Sequence, residues 1–296
     1  MSEGVVVSIG GHRLALTNLG KVMYPATGTT KADVLAYYSE ISDHLIAHAK
    51  WRPATRKRWV DGIGTASHPG QVFFEKRLPS SAPEWVKRFT LAHSDHENEY
   101  PVINDAATLA WMAQIAALEI HVPQWQFGPR GARKRPDRLV LDLDPGDGAG
   151  LAECVEVAKS ARVLLQGIGL ESIPVTSGSK GIHLYASLSG ATTSEQASAL
   201  AHEIARQLEA QHPDLVVSDM KRVLRQGKVL VDWSQNNGSK TTVAPYSLRG
   251  RKLPTVAAPR TWRELASPRL RQLTSNEVLS RVRRRGDPLA ELTTGR

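Results

Sequence analysis

The sequence predicts a mixed α/β protein, of the α+β type, built from two packed lobes. In the second half of the chain, short apolar runs alternate with helical patterns, which is the order of a sheet covered by helices. The first 130 residues mix helical and strand patterns less regularly. Between the halves, residues 128–136 combine glycine, proline and basic residues without periodicity, so we predict a basic surface loop that joins the lobes.

The individual elements follow from local patterns. In the first lobe, the predicted elements are helices at 31–38 and 106–113 and strands around 56–60 and 71–76. Thr29-Thr30 can cap the first helix. Beyond the basic loop, the predicted elements are a strand at 138–143, a helix at 150–166, strands near 173–176 and 182–187, a helix at 194–210 and a strand at 228–233. From about residue 262 the chain is rich in arginine and is broken at 286–288, which predicts a helix followed by a frayed end.

Length and composition bound the architecture and the partner. A chain of 296 residues with 41% hydrophobic content can bury a substantial core, as one large domain or as two closely packed lobes. The 38 Lys and Arg against 29 Asp and Glu give a net charge of +9, which attracts phosphates but specifies no sequence. The single cysteine, Cys154, is expected to be buried and inert. There is no apolar run of about 18 residues and no N-terminal secretion pattern, so we expect a cytoplasmic protein without a membrane partner.

Two carboxylates end the first predicted strand of the second lobe. The apolar run 139–141 leads into Asp142-Leu143-Asp144 and then a Pro-Gly turn, so a buried strand ends where the acids begin. Because side chains alternate along a strand, Asp142 and Asp144 point to the same face. Carboxylates this close repel each other unless a cation lies between them, and hard oxygen ligands favour Mg²⁺ or Mn²⁺. Taken alone, Asp-x-Asp is equally compatible with a solvated strand end.

A third acid follows another apolar run. Residues 229–231 end in Asp232, and a neighbouring strand of the same sheet can bring this carboxylate beside the first pair. Three carboxylates suit two divalent ions, one activating an attacking hydroxyl and the other holding a triphosphate. The alternative is that Asp232 only ends a strand or pairs with a surface arginine.

A polar loop with two glycines lies between these acids in the sequence. Ser177-Gly178-Ser179-Lys180-Gly181 joins two predicted strands. Glycines allow backbone N–H groups to turn toward an anion, the serines add donors, and Lys180 supplies a positive charge. The loop is not a Walker A loop, since Gly-x4-Gly-Lys-Ser/Thr is absent. His183 could contact the same phosphates or a sugar, or it could be a structural histidine of its strand.

Together these motifs resemble those of a known family. They look like the three motifs of the archaeo-eukaryotic primase superfamily, in their usual order: Asp142-x-Asp144, Ser177-x5-His183 and Val231-Asp232. The closer resemblance is to the polymerase domain of bacterial ligase D and its stand-alone relatives, and it runs from Thr17 to about Trp262. Further similar stretches are 24–28, 52–59, 121–125 and 232–236. The resemblance implies a primase-polymerase fold, with an RNA-recognition-like catalytic sheet packed against an N-terminal α/β lobe.

The resemblance also implies roles for individual residues. The implied ligands of two ions, Mn²⁺ or Mg²⁺, are Asp142, Asp144 and Asp232. The positions that match contacts to the nucleotide's triphosphate and sugar are Lys57, Ser177, Lys180, His183, Arg225, Gln235 and Arg249. His121 resembles a residue near the ribose, in a family whose members tend to prefer ribonucleotides. The positions that match template contacts are Phe73 and Phe74, with Arg58 toward the backbone. The positions that match a pocket for the downstream 5′-phosphate of a DNA gap are Asn18, Lys21 and Lys31.

Local chemistry supports several of these assignments. Lys21 and Lys31 lie among polar residues that can offer a phosphate further donors, although two solvated lysines would show the same pattern. Phe73 and Phe74 are adjacent in a predicted strand and face opposite sides, so at most one is an obvious core residue. The other can stack on a base, a contact worth about 1–3 kcal/mol, unless both pack in the core.

Two basic segments complete the pattern. In Arg56-Lys57-Arg58, alternation sends Lys57 to one face and both arginines to the other, which suits a triphosphate on one side and a DNA backbone on the other. Residues 221–228 carry four basic side chains just before the strand of Asp232, and they predict a mobile loop that closes on nucleic acid.

Other protein classes fit these observations less well. Glycosyltransferases that use Asp-x-Asp with Mn²⁺ explain neither the basic charge nor Asp232. Haloacid-type phosphatases carry their nucleophilic Asp near the chain start, whereas the pair here lies at 142–144. The alternative that we retain is a non-catalytic module that binds DNA ends or 5′-phosphates, which would use Lys21 and Lys31 without the carboxylates.

We therefore expect a DNA-repair primase-polymerase that adds nucleotides, preferably ribonucleotides, to a DNA 3′-hydroxyl at gaps or breaks. The expected partners are gapped or broken double-stranded DNA with a 5′-phosphate, NTP or dNTP, a separate or fused DNA ligase and a DNA-end-binding protein. The expected location is the bacterial cytoplasm, at the nucleoid. The expected divisions are one polymerase domain at 1–265, with a DNA-binding lobe at about 1–130 and a catalytic lobe at about 137–260, and an Arg-rich helix and tail at 266–296.

Overall fold

Helices and strands alternate through the computed structural model, which describes residues 4–93 and 95–294. The helices are α1 (Lys31–Glu40), α2 (Ser42–Ala49), α3 (Ala106–Gln114), α4 (Leu151–Gly167), α5 (Ser194–Gln211), α6 (Trp262–Leu265), α7 (Ser275–Arg285) and α8 (Glu291–Thr294). Two 3₁₀ turns lie at Arg222–Leu224 and Trp233–Asn236.

The strands are short, and most pair with antiparallel partners. They are β1 (Val5–Ile9), β2 (His12–Leu16), β3 (Val22–Tyr24), β4 (Thr29–Thr30), β5 (Thr55–Arg58), β6 (Phe73–Glu75), β7 (Arg88–Ala92), β8 (Glu97–Pro101), β9 (Ala117–Val122), β10 (Arg138–Pro145), β11 (Ser172–Thr176), β12 (Ile182–Ser187), β13 (Val216–Val217), β14 (Val229–Asp232), β15 (Thr242–Val243), β16 (Thr255–Val256), β17 (Ala258–Pro259) and β18 (Leu273–Thr274). The predicted mixed α/β class is confirmed, and each predicted helix and strand is present with its ends shifted by a few residues.

The larger sheet has six strands in the order β13-β14-β10-β12-β11-β17. Its central strand β10 is antiparallel to both neighbours, β12 and β14. The odd-numbered leucines of β10, Leu139, Leu141 and Leu143, pack in one core with α4 and α5. Alternation therefore sends Val140, Asp142 and Asp144 to the opposite face, which the two long helices leave uncovered.

The smaller sheet has four strands in the order β15-β9-β5-β6. Every residue of β9 is buried, and helices α1, α2 and α3 pack in the same core. Its edge strand β15 comes from residues 242–243, late in the chain. Val278 and Val282 of α7 also belong to this core. The first lobe is therefore completed by chain that follows the second lobe in sequence.

A third cluster joins the two sheets. Val140 and Tyr185, from the uncovered face of the larger sheet, pack with Val243 of β15 and with Leu289 and Leu292 near the C-terminus. The face that carries the two aspartates thus points toward the first lobe. A site on this face can draw side chains from both lobes.

Helix ends follow local hydrogen-bonding rules. Thr30 caps α1 by accepting the Asp33 N–H, and Asp33 in turn accepts the Thr30 N–H. The predicted cap at this position is confirmed. Thr193 and Gln196 form the same reciprocal arrangement at α5.

No helix in the described part of the chain is long and apolar enough to cross a membrane.

The C-terminal end differs from the sequence expectation. We expected a frayed end after 286–288, but residues 287–292 pack onto the protein. Asp287 accepts hydrogen bonds from Tyr246 at 2.6 Å and lies 2.7 Å from His48 Nε2, while Leu289 and Leu292 are buried. Helix α7 ends before Gly286, which has φ +68°. Beyond this break, Leu289 and Leu292 pack in a buried cluster.

Candidate active site

The three predicted acidic residues meet on one face of the larger sheet. In the antiparallel pairing of β10 with β14, Asp142 lies directly opposite Asp232, and Asp144 lies opposite Leu230. Asp142 and Asp232 are half-buried, and Asp144 is exposed at the strand end. Directly opposed residues on one face have Cβ atoms about 4.5–5.5 Å apart. The register therefore brings together the carboxylates that lie 88–90 residues apart in the sequence.

Neighbouring side chains orient these acids. Asp232 accepts hydrogen bonds from the Ser234 N–H at 3.0 Å, the Ser234 hydroxyl at 2.6 Å and the Gln235 amide at 2.9 Å. His183, opposite Asp142 in the β10–β12 pairing, places Nε2 3.3 Å from an Asp142 oxygen. His183 Nδ1 is buried without a hydrogen-bond partner. His183, predicted to contact the nucleotide, thus lies beside Asp142, and Gln235 orients Asp232.

The carboxylates repel one another. The charge of Asp142, then desolvation by the surrounding protein, and then Asp232 raise the pKa of Asp144 to about 6, against the opposing charges of His183 and Arg225. A divalent cation between the carboxylates would relieve this repulsion. No group of three or more His, Cys, Asp and Glu side chains is arranged as a ready metal cage within the described residues. Two or three carboxylates that share an ion with waters and phosphates fit the coordination habit of Mg²⁺.

A basic pocket adjoins Asp144. Its volume is about 340 Å³, and its lining includes Lys180 and Arg225, both predicted to contact the nucleotide. Arg222 and Arg251, which are not among the predicted site residues, also line it. Four cationic side chains beside paired carboxylates can neutralise the charge of a triphosphate, and the carboxylates would hold the divalent ions that offset the rest.

The loop between β11 and β12 is held mainly by protein contacts. We expected its backbone N–H groups to turn toward an anion, but four of the five donate to the protein. The Ser177 N–H donates to the Gly181 carbonyl oxygen at 3.0 Å. Gly178 N–H donates to Gln272 at 2.7 Å, and the N–H groups of Ser179 and Gly181 donate to the Ser177 hydroxyl at 3.2 Å each. The Ser177 side chain fills the inside of the loop. The exposed Lys180 side chain is therefore its main group for an anion.

Glycines let the parts of the site approach closely. A Cβ on Gly181 would lie 2.0 Å from the Leu143 carbonyl oxygen, between the two acids of β10. A Cβ on Gly146 would lie 1.8 Å from the Arg225 carbonyl oxygen. Both distances are far below van der Waals contact. The loop, the acid-bearing strand and the Arg225 segment are therefore packed backbone against backbone.

Glu119 on β9 contacts three of the residues predicted to hold the nucleotide. One of its oxygens lies 2.8 Å from His121 Nε2 and 3.6 Å from Lys57 Nζ, and the other lies 3.3 Å from Arg249 Nε. Burial would raise the pKa of Glu119, but the His121 hydrogen bond and the charge of Arg249 hold it well below its usual range. Burial lowers the pKa of His121. A neutral His121 that donates from Nε2 to Glu119 leaves Nδ1 as an acceptor.

Arg249 links this cluster to the loop. Its Nη1 donates to the Ser177 carbonyl oxygen at 2.7 Å, while its Nε faces Glu119. The smaller sheet and the loop of the larger sheet are thus joined through one guanidinium group. Arg249 thus connects Glu119 of the first lobe to Ser177 of the second.

The predicted template residues lie on the edge of the smaller sheet. Phe73 and Phe74 of β6 are 37% and 51% exposed, so neither is a core residue. The Phe74 ring stands edge-on to His121 with centroids 6.1 Å apart. Arg58 lies opposite Phe73, on the face away from Lys57, as alternation predicted. There it donates to Glu75 at 2.7 Å and to the Ile115 carbonyl at 2.6 Å. A template backbone would have to compete with these bonds for Arg58.

The predicted 5′-phosphate residues lie together at the start of α1. Lys31 is 6% exposed, and its ammonium donates to the Thr17 carbonyl at 2.9 Å. Burial, and then the nearby charge of Lys21, lower the pKa of Lys31 to about 8. Lys21 pairs with the exposed Asp61 at 2.8 Å. Asn18 precedes them in a left-handed turn with φ +54°. Two lysines close enough to perturb each other favour an anionic ligand.

Comparison with known proteins identifies the family. Residues 30–289 match the family described as "LigD, primase-polymerase domain". The chain belongs to this family. The resemblance inferred from the three motifs is therefore confirmed. This primase-polymerase domain is of a nucleotidyltransferase family that generally uses divalent metal ions.

Relatives of the primase-polymerase domain are longer proteins. It is 53% identical over 290 residues to the "Multifunctional non-homologous end joining DNA repair protein LigD" of Mycobacterium tuberculosis, covering 96% of this chain and 38% of the relative. It is 34% identical over 278 residues to the "Bifunctional non-homologous end joining protein LigD" of Bacillus subtilis, covering 93% and 43%. The chain thus spans about two fifths of the length of these relatives.

A solved structure shares the fold. The "Polymerase Domain from Mycobacterium tuberculosis Ligase D in complex with DNA" superposes with a TM-score of 0.91 at 53% identity, covering 96% of this chain and 99% of that one. The primase-polymerase fold expected from the sequence is therefore confirmed.

Sequence reasoning missed several residues of the primase-polymerase domain's site. Glu119 carried a usable signal, because a glutamate two residues before His121 in an otherwise apolar strand shares its face. Arg222 lies in the basic segment that was noted, but it was not assigned to the pocket. Arg251 and Gln272 carried no local signal. Both lie after the last of the three motifs in the sequence and reach this region through tertiary packing.

Proposed function

We propose that this chain is a metal-dependent, template-directed polymerase that adds nucleotides to a DNA 3′-hydroxyl at gaps or breaks. The observation that carries the proposal is the register of β10 against β14. It opposes Asp142 to Asp232 and leaves Asp144 on the same face, beside a pocket lined by Lys180 and Arg225. Paired carboxylates next to a cationic pocket are the arrangement that phosphoryl transfer needs.

In this reaction the protein positions groups and neutralises charge. The three aspartates would hold two divalent ions, Mg²⁺ or Mn²⁺, which when bound lower the pKa of the 3′-hydroxyl and offset charge on the triphosphate. Lys180 and Arg225, which line the pocket beside Asp144, would bind the triphosphate and the departing pyrophosphate. The mechanism requires no side-chain nucleophile.

Ribonucleotide preference would come from the Glu119 cluster. His121 Nδ1, left as an acceptor when Nε2 donates to Glu119, suits a ribose hydroxyl donor. Lys57 lies on the same face and would contact the triphosphate. The exposed rings of Phe73 and Phe74 would stack against the template base. Lys57, His121 and Phe74 share one face of the smaller sheet.

The downstream 5′-phosphate would bind where Asn18, Lys21 and Lys31 lie together. Relatives named as non-homologous end joining proteins, and a DNA complex of a similar polymerase domain, support a role in end joining. We further propose that the chain works with a DNA ligase, separate or fused, and with a DNA-end-binding protein at the bacterial nucleoid. The net charge of +9 would assist encounter with DNA.

The decisive experiment is extension of a labelled primer on short-gapped DNA with Mn²⁺ or Mg²⁺. NTP is compared with dNTP, and a downstream 5′-phosphate with a 5′-hydroxyl. We expect template-matched ribonucleotide addition that the 5′-phosphate stimulates. Asp142→Asn and Asp232→Asn should each reduce synthesis by more than about 1,000-fold and leave DNA binding intact. Asp214→Asn, on an exposed aspartate outside the site, should retain full activity.

Two results would contradict the proposal. Retained synthesis in both site variants would overturn the carboxylate assignment. No nucleotide addition by the wild-type protein, with either metal and any nucleotide, would favour a non-catalytic module that binds DNA ends or 5′-phosphates.

A further inference from the structure

One side-chain amide from the C-terminal segment forms hydrogen bonds with the loop at Ser177–Gly181. Gln272 lies immediately before β18, which pairs with β16 and is thereby fixed next to the loop. Its Oε1 accepts the Gly178 N–H at 2.7 Å, and its Nε2 donates to the Gly181 carbonyl oxygen at 3.1 Å. A single half-buried side chain therefore bonds the loop near both of its ends.

The loop geometry explains why it needs such a contact. Gly178 has φ +69°, and a Cβ there would lie 2.6 Å from Arg249 Cγ and from the Val256 carbonyl carbon. Glycine is conformationally permissive, so this conformation must be fixed by bonds to the loop. The Thr255 hydroxyl bonds the Gly178 carbonyl at 2.5 Å, and Gln272 bonds its N–H. Without Gln272, the N–H would lose its partner and the loop would gain freedom.

Lys180 is the residue that this contact controls. It lies between Gly178 and Gly181, and its exposed side chain lines the pocket beside Asp144. Any rotation of the loop between the two tethered glycines moves this ammonium relative to the carboxylates. A cation displaced by about 1 Å can lose much of its effect on a bound reactant.

We propose that Gln272 is a positioning residue for nucleotide binding: it fixes the 177–181 loop so that Lys180 faces the triphosphate. The inference rests on the proposed polymerase function. It gives Gln272, from the segment after residue 265, a part in supporting the nucleotide site, although this residue contributes no group to the reacting atoms. The amide acts through both of its atoms, so its two halves can be tested separately.

The test compares Gln272→Met, which keeps the length of the side chain but removes both bonds, with Gln272→Glu, which keeps an acceptor for Gly178. Primer extension with Mn²⁺ gives KM for NTP and kcat for each variant. We expect Gln272→Met to raise KM about tenfold with a smaller change in kcat, since losing about 1.4 kcal/mol of binding is tenfold. Gln272→Glu should lie between this variant and the wild type. Gln166→Met, an exposed glutamine on α4, is the matched control.

A second readout does not depend on activity. Hydrogen exchange of the peptide covering 176–183 should accelerate in Gln272→Met and not in Gln166→Met, with unchanged DNA affinity in both. Wild-type KM and wild-type exchange in Gln272→Met would overturn the positioning role, as would an equal fall in kcat with KM unchanged. If Gln272→Met fails to fold, Gln272→Glu decides the matter by the same two measurements. An inactive wild-type protein would instead contradict the proposed function itself.

Discussion

At the residue scale, the site consists of charged side chains held in place by other charged side chains. Glu119 is the clearest case, because it is buried and faces Lys57, His121 and Arg249. Burying a carboxylate is costly unless its partners compensate the charge, and here two cations, Lys57 and Arg249, and the hydrogen bond from His121 do so. The same carboxylate orients the donors that we assign to the nucleotide. Stability and nucleotide binding are therefore coupled at this residue.

Glu119→Gln should therefore damage both properties. We expect a loss of about 3 kcal/mol in the free energy of unfolding, because the half-buried cations Lys57 and Arg249 lose their counter-charge and His121 loses a charged hydrogen-bond acceptor. We also expect KM for NTP to rise at least tenfold. Urea unfolding and primer extension measure the two effects. Glu99→Gln, on an exposed strand position, should change the free energy of unfolding by no more than about 0.5 kcal/mol. Wild-type stability in Glu119→Gln would show that the cluster does not need the carboxylate.

The pKa of Lys31, lowered to about 8 by burial and by Lys21, predicts a pH dependence for recognition of the 5′-phosphate. Lys31 is charged below this pH and neutral above it. The affinity for gapped DNA with a 5′-phosphate, relative to a 5′-hydroxyl, should therefore begin to fall above about pH 8. Fluorescence anisotropy from pH 6.5 to 9.5 measures the affinities for both DNA ends.

Two variants of the lysine pair separate charge from packing. Lys31→Arg keeps its charge throughout this pH range and should retain the preference for phosphate at high pH. The double variant Lys21→Ala with Lys31→Ala should lose the preference at every pH. An unchanged preference in the double variant would rule out this pocket.

At the element scale, the site depends on how closely three backbone segments approach one another. Strand β10 carries two acids, the loop after β11 carries Lys180, and the turn before β14 carries Arg225. Glycines at Gly146 and Gly181 allow these segments to touch. Such contacts leave no space for a side chain, so the spacing between acids and cations is set by backbone packing.

Gly181→Ala should push the loop away from β10. The added methyl group would meet the Leu143 carbonyl at 2.0 Å, and we expect a destabilisation of about 1–3 kcal/mol together with at least a tenfold fall in kcat/KM for NTP. Gly167→Ala is the matched control, because a Cβ there meets nothing within 4 Å. That variant should be neutral or slightly stabilising. Thermal unfolding and primer extension distinguish them, and full activity in Gly181→Ala would show that the contact is not needed.

At the scale of the whole molecule, the last thirty residues complete both lobes. Val278 and Val282 of α7 lie in the core of the first lobe, and Leu289 and Leu292 lie between the two sheets. Gln272 reaches the loop of the larger sheet. The segment after 265, predicted as a helix and tail beyond the polymerase domain, thus packs against both lobes.

A chain that ends at residue 265 should therefore fail to fold cooperatively. It would expose the apolar partners of four buried side chains and lose Asp287, which bonds Tyr246 and lies beside His48. Circular dichroism during heating should show no sharp transition, whereas a chain that ends at residue 292 should melt like the full chain. A cooperative transition within a few degrees of the full chain would contradict this prediction.

Local sequence patterns are enough to predict the elements and the face of β10 that carries Asp142 and Asp144. These follow from local rules, because alternation along a strand and capping at a helix end depend on neighbours in the chain. The groups that surround the acids follow from the packing of distant segments. Glu119 meets Arg249 across 130 residues, and Gln272 meets Gly178 across 94. Such contacts depend on how elements pack, which no local periodicity encodes. For the same reason, the N–H groups of the 177–181 loop bond to protein acceptors, although the sequence alone predicted that they would face an anion.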